Sequence, residues 1–225
     1  MSAEFTLDSS RRERTGLDEA IFCAGKSLAQ IEGILAHGES AGRRLLLTRL
    51  DPEVHAALPA GHAARLDYDS ISRTAILGGV EPGAPGEPRA GVVTAGSSDI
   101  PVAREAARTL LYDGHACCEI HDVGVAGLWR LLERVDEIRS LDVVIAVAGM
   151  EAALASVIGG LVPGAVIAVP TSTGYGVAAG GETALRATLT SCAPGITVVN
   201  IDNGYGAACA AARILNRSSR PRTSG

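Results

Sequence analysis

From residue 90 onward the chain alternates short apolar runs, rich in β-branched residues, with stretches of helical periodicity. No other feature constrains the fold as much. The apolar runs are Gly91 to Thr94, Ala116 to Ile120, Val143 to Ala148, Ala165 to Val169 and Ile196 to Ile201. Between and after them lie Ile100 to Tyr112, Leu128 to Ser140, Glu151 to Leu161, Glu182 to Leu189 and Gly206 to Leu215. Runs without polar alternation suit strands buried on both faces. Strands that alternate with helices imply right-handed βαβ crossovers, and hence an α/β domain built on a doubly wound parallel sheet in three flavodoxin-like layers.

The texture before residue 90 is different. Gly78 to Arg89 packs three Pro and four Gly into a linker-like stretch. It separates a small N-terminal α/β region, residues 1–88 with the linker, from a catalytic domain over 89–216. In the small region the expected elements are a helix near Ser27 to His37 and strands at Arg44 to Leu50 and Thr74 to Leu77; their arrangement is not legible. The tail, 217–225, rich in Ser, Arg and Pro, is expected to be disordered.

Charge and cysteine usage narrow the function classes. The formal net charge of −5 and the lack of any basic run longer than a pair offer no footprint for nucleic acid. Residues 152–181 carry no charge, yet Gly159, Gly160, Pro163 and Gly164 interrupt them, which fits a helix and a buried strand rather than a membrane span. Five cysteines without CxxC spacing, and a polar, charged start, lead us to expect reduced thiols, no zinc site and a cytoplasmic enzyme. Of the 20 basic residues only Lys26 is lysine, so covalent lysine chemistry has a single candidate. Ala24-Gly25-Lys26-Ser27 resembles the tail of a P-loop but lacks its first glycine.

Ligands of open α/β sheets bind outside the carboxyl ends of the strands. Those ends carry Gly96-Ser97-Ser98-Asp99, His121-Asp122, Gly149-Met150-Glu151, Thr171-Ser172-Thr173 and Asp202-Asn203. Gly96 to Asp99 suits a nest for phosphate or carboxylate, or equally a cap for the helix that Pro101 opens. Glu151 reads as a proton-transfer group or as an acid favoured by a helix N-terminus. The glycines around Tyr175 and Tyr205 have the wrong spacing for a dinucleotide fingerprint. Among the thiols, Cys23, Cys117 and Cys118 read as core and Cys209 as part of a small-residue packing face. Cys192 stands in a turn, where reactivity is easier to achieve.

Four ordered segments, Val93 to Ala103, Ala148 to Val157, Val169 to Gly176 and Val199 to Ala207, together with Arg14-Thr15-Gly16 and Ile21 to Ser27, resemble the LarB family, which opens nickel-pincer nucleotide synthesis for lactate racemase maturation. LarB is in turn similar to PurE, the aminoimidazole ribonucleotide carboxylase or mutase. The chain departs from PurE where that family has Ser-Ala-His-Arg, here Glu119-Ile120-His121-Asp122, and Ala-His-Leu-Pro, here ending Ala146-Val147-Ala148. The resemblance implies a PurE-like core and a carboxylase/hydrolase that turns nicotinic acid adenine dinucleotide (NaAD), CO2 and water into pyridinium-3,5-biscarboxylic acid mononucleotide and AMP. It carries the nucleophile onto Cys192, with Cys118 and Cys209 as alternatives. By their position at the strand ends, Glu151 and Asp99 are expected to serve in proton transfer or hold water, and Gly96, Ser97, Ser98, His121, Gly149, Met150, Thr171, Ser172, Thr173, Asp202 and Asn203 to bind substrate. Asp202 is also the candidate ligand for Mg2+ at the pyrophosphate. CO2 or bicarbonate is co-substrate and no tightly bound organic cofactor is expected. Neither nucleic acid nor membrane is an expected partner. PurE-like octamers place sites between subunits, so a homo-oligomer, dimer to octamer, is expected. The competing readings are a PurE-type purine carboxylase and a nucleotide-binding protein without catalysis.

Overall fold

A computed structural model describes residues 5–80 and 88–218 of the chain. Contacts divide it into two compact units, residues 1–82 and 83–225. Most of the expected linker, residues 81–87, and residues 219–225 of the expected tail lie outside the described residues.

In the first unit a short helix, α1 (Arg11–Thr15), precedes β1 (Ala20–Phe22), α2 (Leu28–Ser40), β2 (Leu45–Thr48), α3 (Pro52–Ala57), α4 (Ala60–Ala63), β3 (Leu66–Asp69) and β4 (Thr74–Leu77). The four strands lie in the order β1-β2-β4-β3, with β1 parallel to β2 and the other pairs antiparallel. A reciprocal capping box between Ser27 and Gln30 starts α2, and Ile31, Ile34 and Leu35 bury its apolar face against Leu45, Leu47 and Leu77. β1 and β3 were not legible in the sequence: one has three residues and the other, Leu-Asp-Tyr-Asp, has no apolar run.

The second unit is a five-stranded sheet. Its strands are β5 (Ala90–Thr94), β6 (Cys117–Ile120), β7 (Val143–Ala148), β8 (Ala165–Pro170) and β9 (Thr197–Val198), in the order β6-β5-β7-β8-β9, all parallel. Numbered from the first strand of the unit this is 2-1-3-4-5, whose switch point falls between β5 and β7. β5 and β7 are buried along their whole length, as their unbroken apolar runs require. On one face α5 (Ile100–Tyr112) packs against α10 (Gly204–Ser218) through the buried Ala207, Ala208, Ala211 and Ala212. The other face is covered by α6 (Leu128–Leu132), α7 (Val135–Arg139), α8 (Ala153–Gly159) and α9 (Glu182–Leu189), which close over Val93, Val144, Ala146 and Ala168.

Four expectations need correction. The helix expected over Leu128 to Ser140 is two, because the Arg134 N–H reaches the Leu131 carbonyl, three residues back, and the α-helical ladder restarts at Val135. The last strand pairs only over Thr197–Val198: the Asn200 side chain takes the Ile201 N–H at 2.9 Å, and Asp202 turns the chain at φ 54°. Arg217 and Ser218, assigned to a disordered tail, close α10. α8 starts at Ala153, so Glu151 stands in a turn ahead of it and not in a helical first turn. No described helix is long and apolar enough to cross a membrane.

Candidate active site

The loops at the carboxyl ends of β5, β6, β7 and β8 enclose a cavity of about 370 Å³. Ala95, Gly96, Ser98 and Asp99 come from the first loop. Gly124, Val125, Ala126 and Arg130 come from the second, Ala148 to Leu154 from the third, and Thr173 from the fourth. The opening therefore lies at the switch point that the strand order defines.

Asp99 forms its floor and is 2% exposed. Its Oδ2 accepts the Gly96 N–H at 2.9 Å and its Oδ1 accepts the Thr171 hydroxyl at 2.7 Å. The carboxyl therefore folds back on the β5 turn and does not cap α5. Burial pushes its pKa up, against hydrogen bonds from Thr171 and Gly96 that favour the charged form. Thr171, 1% exposed, supports Asp99 from beneath and does not line the cavity.

The β7 loop is shaped by two left-handed residues, Met150 at φ 53° and Ala152 at φ 49°. The Met150 N–H donates to the Thr173 carbonyl at 2.8 Å and the Ala152 N–H to the Gly149 carbonyl at 2.8 Å. Between them Glu151 is exposed at the cavity wall. Gly149 permits this turn because a Cβ there would land on the Thr173 carbonyl oxygen and 2.8 Å from the Thr171 hydroxyl.

Of the residues expected at the site, the fold brings Gly96, Ser98, Asp99, Gly149, Met150, Glu151 and Thr173 to one cavity. The others stand elsewhere. Ser97 is exposed beside the opening. The Ser172 N–H donates to Asp202 Oδ1 at 2.8 Å, and Asn203 Oδ1 accepts the Gly206 N–H at 2.8 Å in the first turn of α10. His121 pairs with Glu119 at 3.4 Å. Among the described residues no three His, Cys, Asp or Glu side chains gather as a metal cage, and Asp202 Oδ1 is taken by the Ser172 N–H of the β8 loop.

Cys192 is exposed, in the loop between α9 and β9. Its neighbour Ser191 hydrogen-bonds Ser156 at 2.7 Å, and a Cβ on Gly159 would lie 3.0 Å from Ala193. The loop thus packs on the half of α8 that points away from the cavity, at the amino edge of the sheet. Cys192 is not among the residues that line the cavity. Cys118 and Cys209 do not line the cavity either. Burial raises the thiol pKa of Cys118 and takes Cys23 and Cys117 up to about 12.

Arg130 is the charged lining residue that the sequence reading missed. It sits within the stretch expected to be one helix, Leu128 to Ser140, and no motif marks it.

A parallel 2-1-3-4-5 sheet with an acid-bearing cavity at its switch point makes the second unit a doubly wound, flavodoxin-like α/β domain, and the AIR carboxylase family matches residues 89–223. The LarB/PurE-like N-terminal domain matches residues 3–78. The chain belongs to the LarB family, with a PurE-like core. It is 38% identical over 209 residues to the uncharacterized protein MJ0165 of Methanocaldococcus jannaschii, across 89% of this chain and 80% of that one. Among solved structures, a PurE2 variant of Treponema denticola aligns at 25% identity with a TM-score of 0.49, over 59% of this chain and 82% of its own.

Proposed function

We propose that the protein is an NaAD carboxylase/hydrolase that makes pyridinium-3,5-biscarboxylic acid mononucleotide and AMP, the first step of nickel-pincer nucleotide synthesis. The observation that carries this reading is the cavity itself: a small, largely apolar space holding a desolvated carboxyl, Asp99, a second carboxyl, Glu151, and one guanidinium, in a LarB-family chain.

The chemistry follows from the electron demand of the ring. A pyridinium carbon is electrophilic and does not attack CO2. A thiolate that adds to the ring forms a C–S bond and converts the ring to an enamine, whose C5 attacks CO2. A carboxylate then takes the C5 proton, the ring electrons re-form the pyridinium, and the C–S bond breaks to release the thiolate. Asp99 and Glu151 are the proton acceptors at hand, and the one that does not act on C5 positions the water that cleaves the phosphoanhydride. Gly96 and the Ser98 and Thr173 hydroxyls suit the phosphate and ribose. Cys192, the one exposed thiol of the five, serves the cavity of a neighbouring subunit in a homo-oligomer.

The test is incubation with NaAD, bicarbonate and magnesium, with AMP and the dicarboxylated mononucleotide read by mass spectrometry. Both products are expected in equal amounts. Turnover of carboxyaminoimidazole ribonucleotide in place of NaAD would identify a purine carboxylase, and turnover of neither would leave a nucleotide-binding protein.

A further inference from the structure

Arg130 is held from two sides. Its Nη1 donates to Asp122 Oδ2 at 2.6 Å. Asp122 leaves β6 in the left-handed region, at φ 58°, and its N–H donates to the Thr94 hydroxyl at 3.0 Å. Thr94 is wholly buried at the end of β5. The guanidinium is thus tied through Asp122 to the central sheet at its switch point. On its other side a Cβ at Gly127 would stand 2.9 Å from Nε and 3.2 Å from Nη2, so the group lies against bare backbone where another side chain would displace it.

The charges in the cavity are uneven. Asp99 and Glu151 contribute two carboxyls, and Arg130 is the one basic side chain among the described lining residues. The volume, about 370 Å³, is at the small end for ligand pockets and suits an aromatic ring with its sugar rather than a whole dinucleotide. A ring acid placed beside two carboxyls needs an opposed charge, and a planar guanidinium matches a carboxylate in shape and in hydrogen-bond donors.

Resting on the function proposed above, we propose that Arg130, positioned by Asp122, receives the carboxylate of the substrate ring and makes the cavity select an aromatic acid over its amide. The test is calorimetric titration of the full-length protein with nicotinic acid mononucleotide and nicotinamide mononucleotide, which share ribose and phosphate and differ only at the ring substituent. The wild type is expected to bind the acid at least about tenfold more tightly than the amide. Arg130→Ala is expected to erase that preference while amide binding stays within about twofold. Arg130→Lys, which keeps the charge and loses the fork, is expected to retain part of it. Asp122→Asn is expected to weaken acid binding selectively, and thermal unfolding checks that each variant folds. If Arg130→Ala does not fold, Arg130→Lys decides, since an unchanged preference there overturns the assignment. A preference that survives in Arg130→Ala, an equal loss for both nucleotides, or a wild type that binds neither or does not discriminate would each overturn it too. Because the titration requires no turnover, a wild type that prefers the acid but does not carboxylate NaAD would refute the proposed reaction and leave the role of Arg130 standing.

Discussion

At the scale of single residues the site depends on where its charges are desolvated. Asp99 is buried and its pKa lies above the usual 3.8, so the native chain holds that proton more tightly than the unfolded chain. The ionised carboxyl therefore lowers stability: the penalty is absent below pH 3.8, grows as pH rises through the raised value, and is complete above it. Asn at this position never ionises. Asp99→Asn is thus expected to gain thermal stability relative to wild type as pH climbs from 3.8 towards neutrality, and to lose carboxylation. Melting curves of both proteins across that range check it; a difference that does not move with pH would contradict the assignment. Asp99 was visible in the sequence as an acid at a strand end, but its burial was not. Nothing in Gly96-Ser97-Ser98-Asp99 says that the carboxyl turns inward to Thr171, a residue 72 positions away.

At the scale of elements, the strand-to-helix turn after β7 decides the shape of the cavity. Gly149 brings the β7 and β8 loops within backbone contact, and Gly149→Ala is expected to cost about 1–3 kcal/mol by overpacking. It also displaces the Thr171 hydroxyl from Asp99. Gly160, at φ −87° with its nearest neighbour 3.6 Å from a built Cβ, is the control, and Gly160→Ala is expected to leave the unfolding midpoint nearly unchanged. Denaturant titration of the two variants separates close approach from a general effect of adding a methyl. The regular elements here were legible because apolar runs and 3.6-residue periodicity are properties of contiguous sequence. The left-handed residues Met150 and Ala152 were not, since neither is a residue type that favours that conformation. The helix drawn from Glu151 accordingly began two residues too early.

At the scale of the whole molecule, Cys192 does not line the cavity, and our reading brings it there from a second copy. Cys192→Ser is expected to lower carboxylation by ~10³-fold or more while the fold survives, because the side chain is exposed. Dissociating and reassembling inactive Cys192→Ser and Asp99→Asn subunits in equal amounts is expected to restore about a quarter of the sites, since each site draws on two chains. Activity that stays at zero would return the thiol to its own chain or to another residue. Periodicity and motif order by themselves determined the doubly wound class, the strand ends at which the cavity opens and the kinship with LarB, because each depends on residues that are neighbours in the chain. Tertiary structure alone decided that Thr171, Asp202 and Asn203 hydrogen-bond into supporting turns and caps, that Arg130 lines the cavity, and that Cys192 does not. Those placements depend on which strands sit side by side and which edge a loop falls on, relations between distant segments that no local pattern encodes.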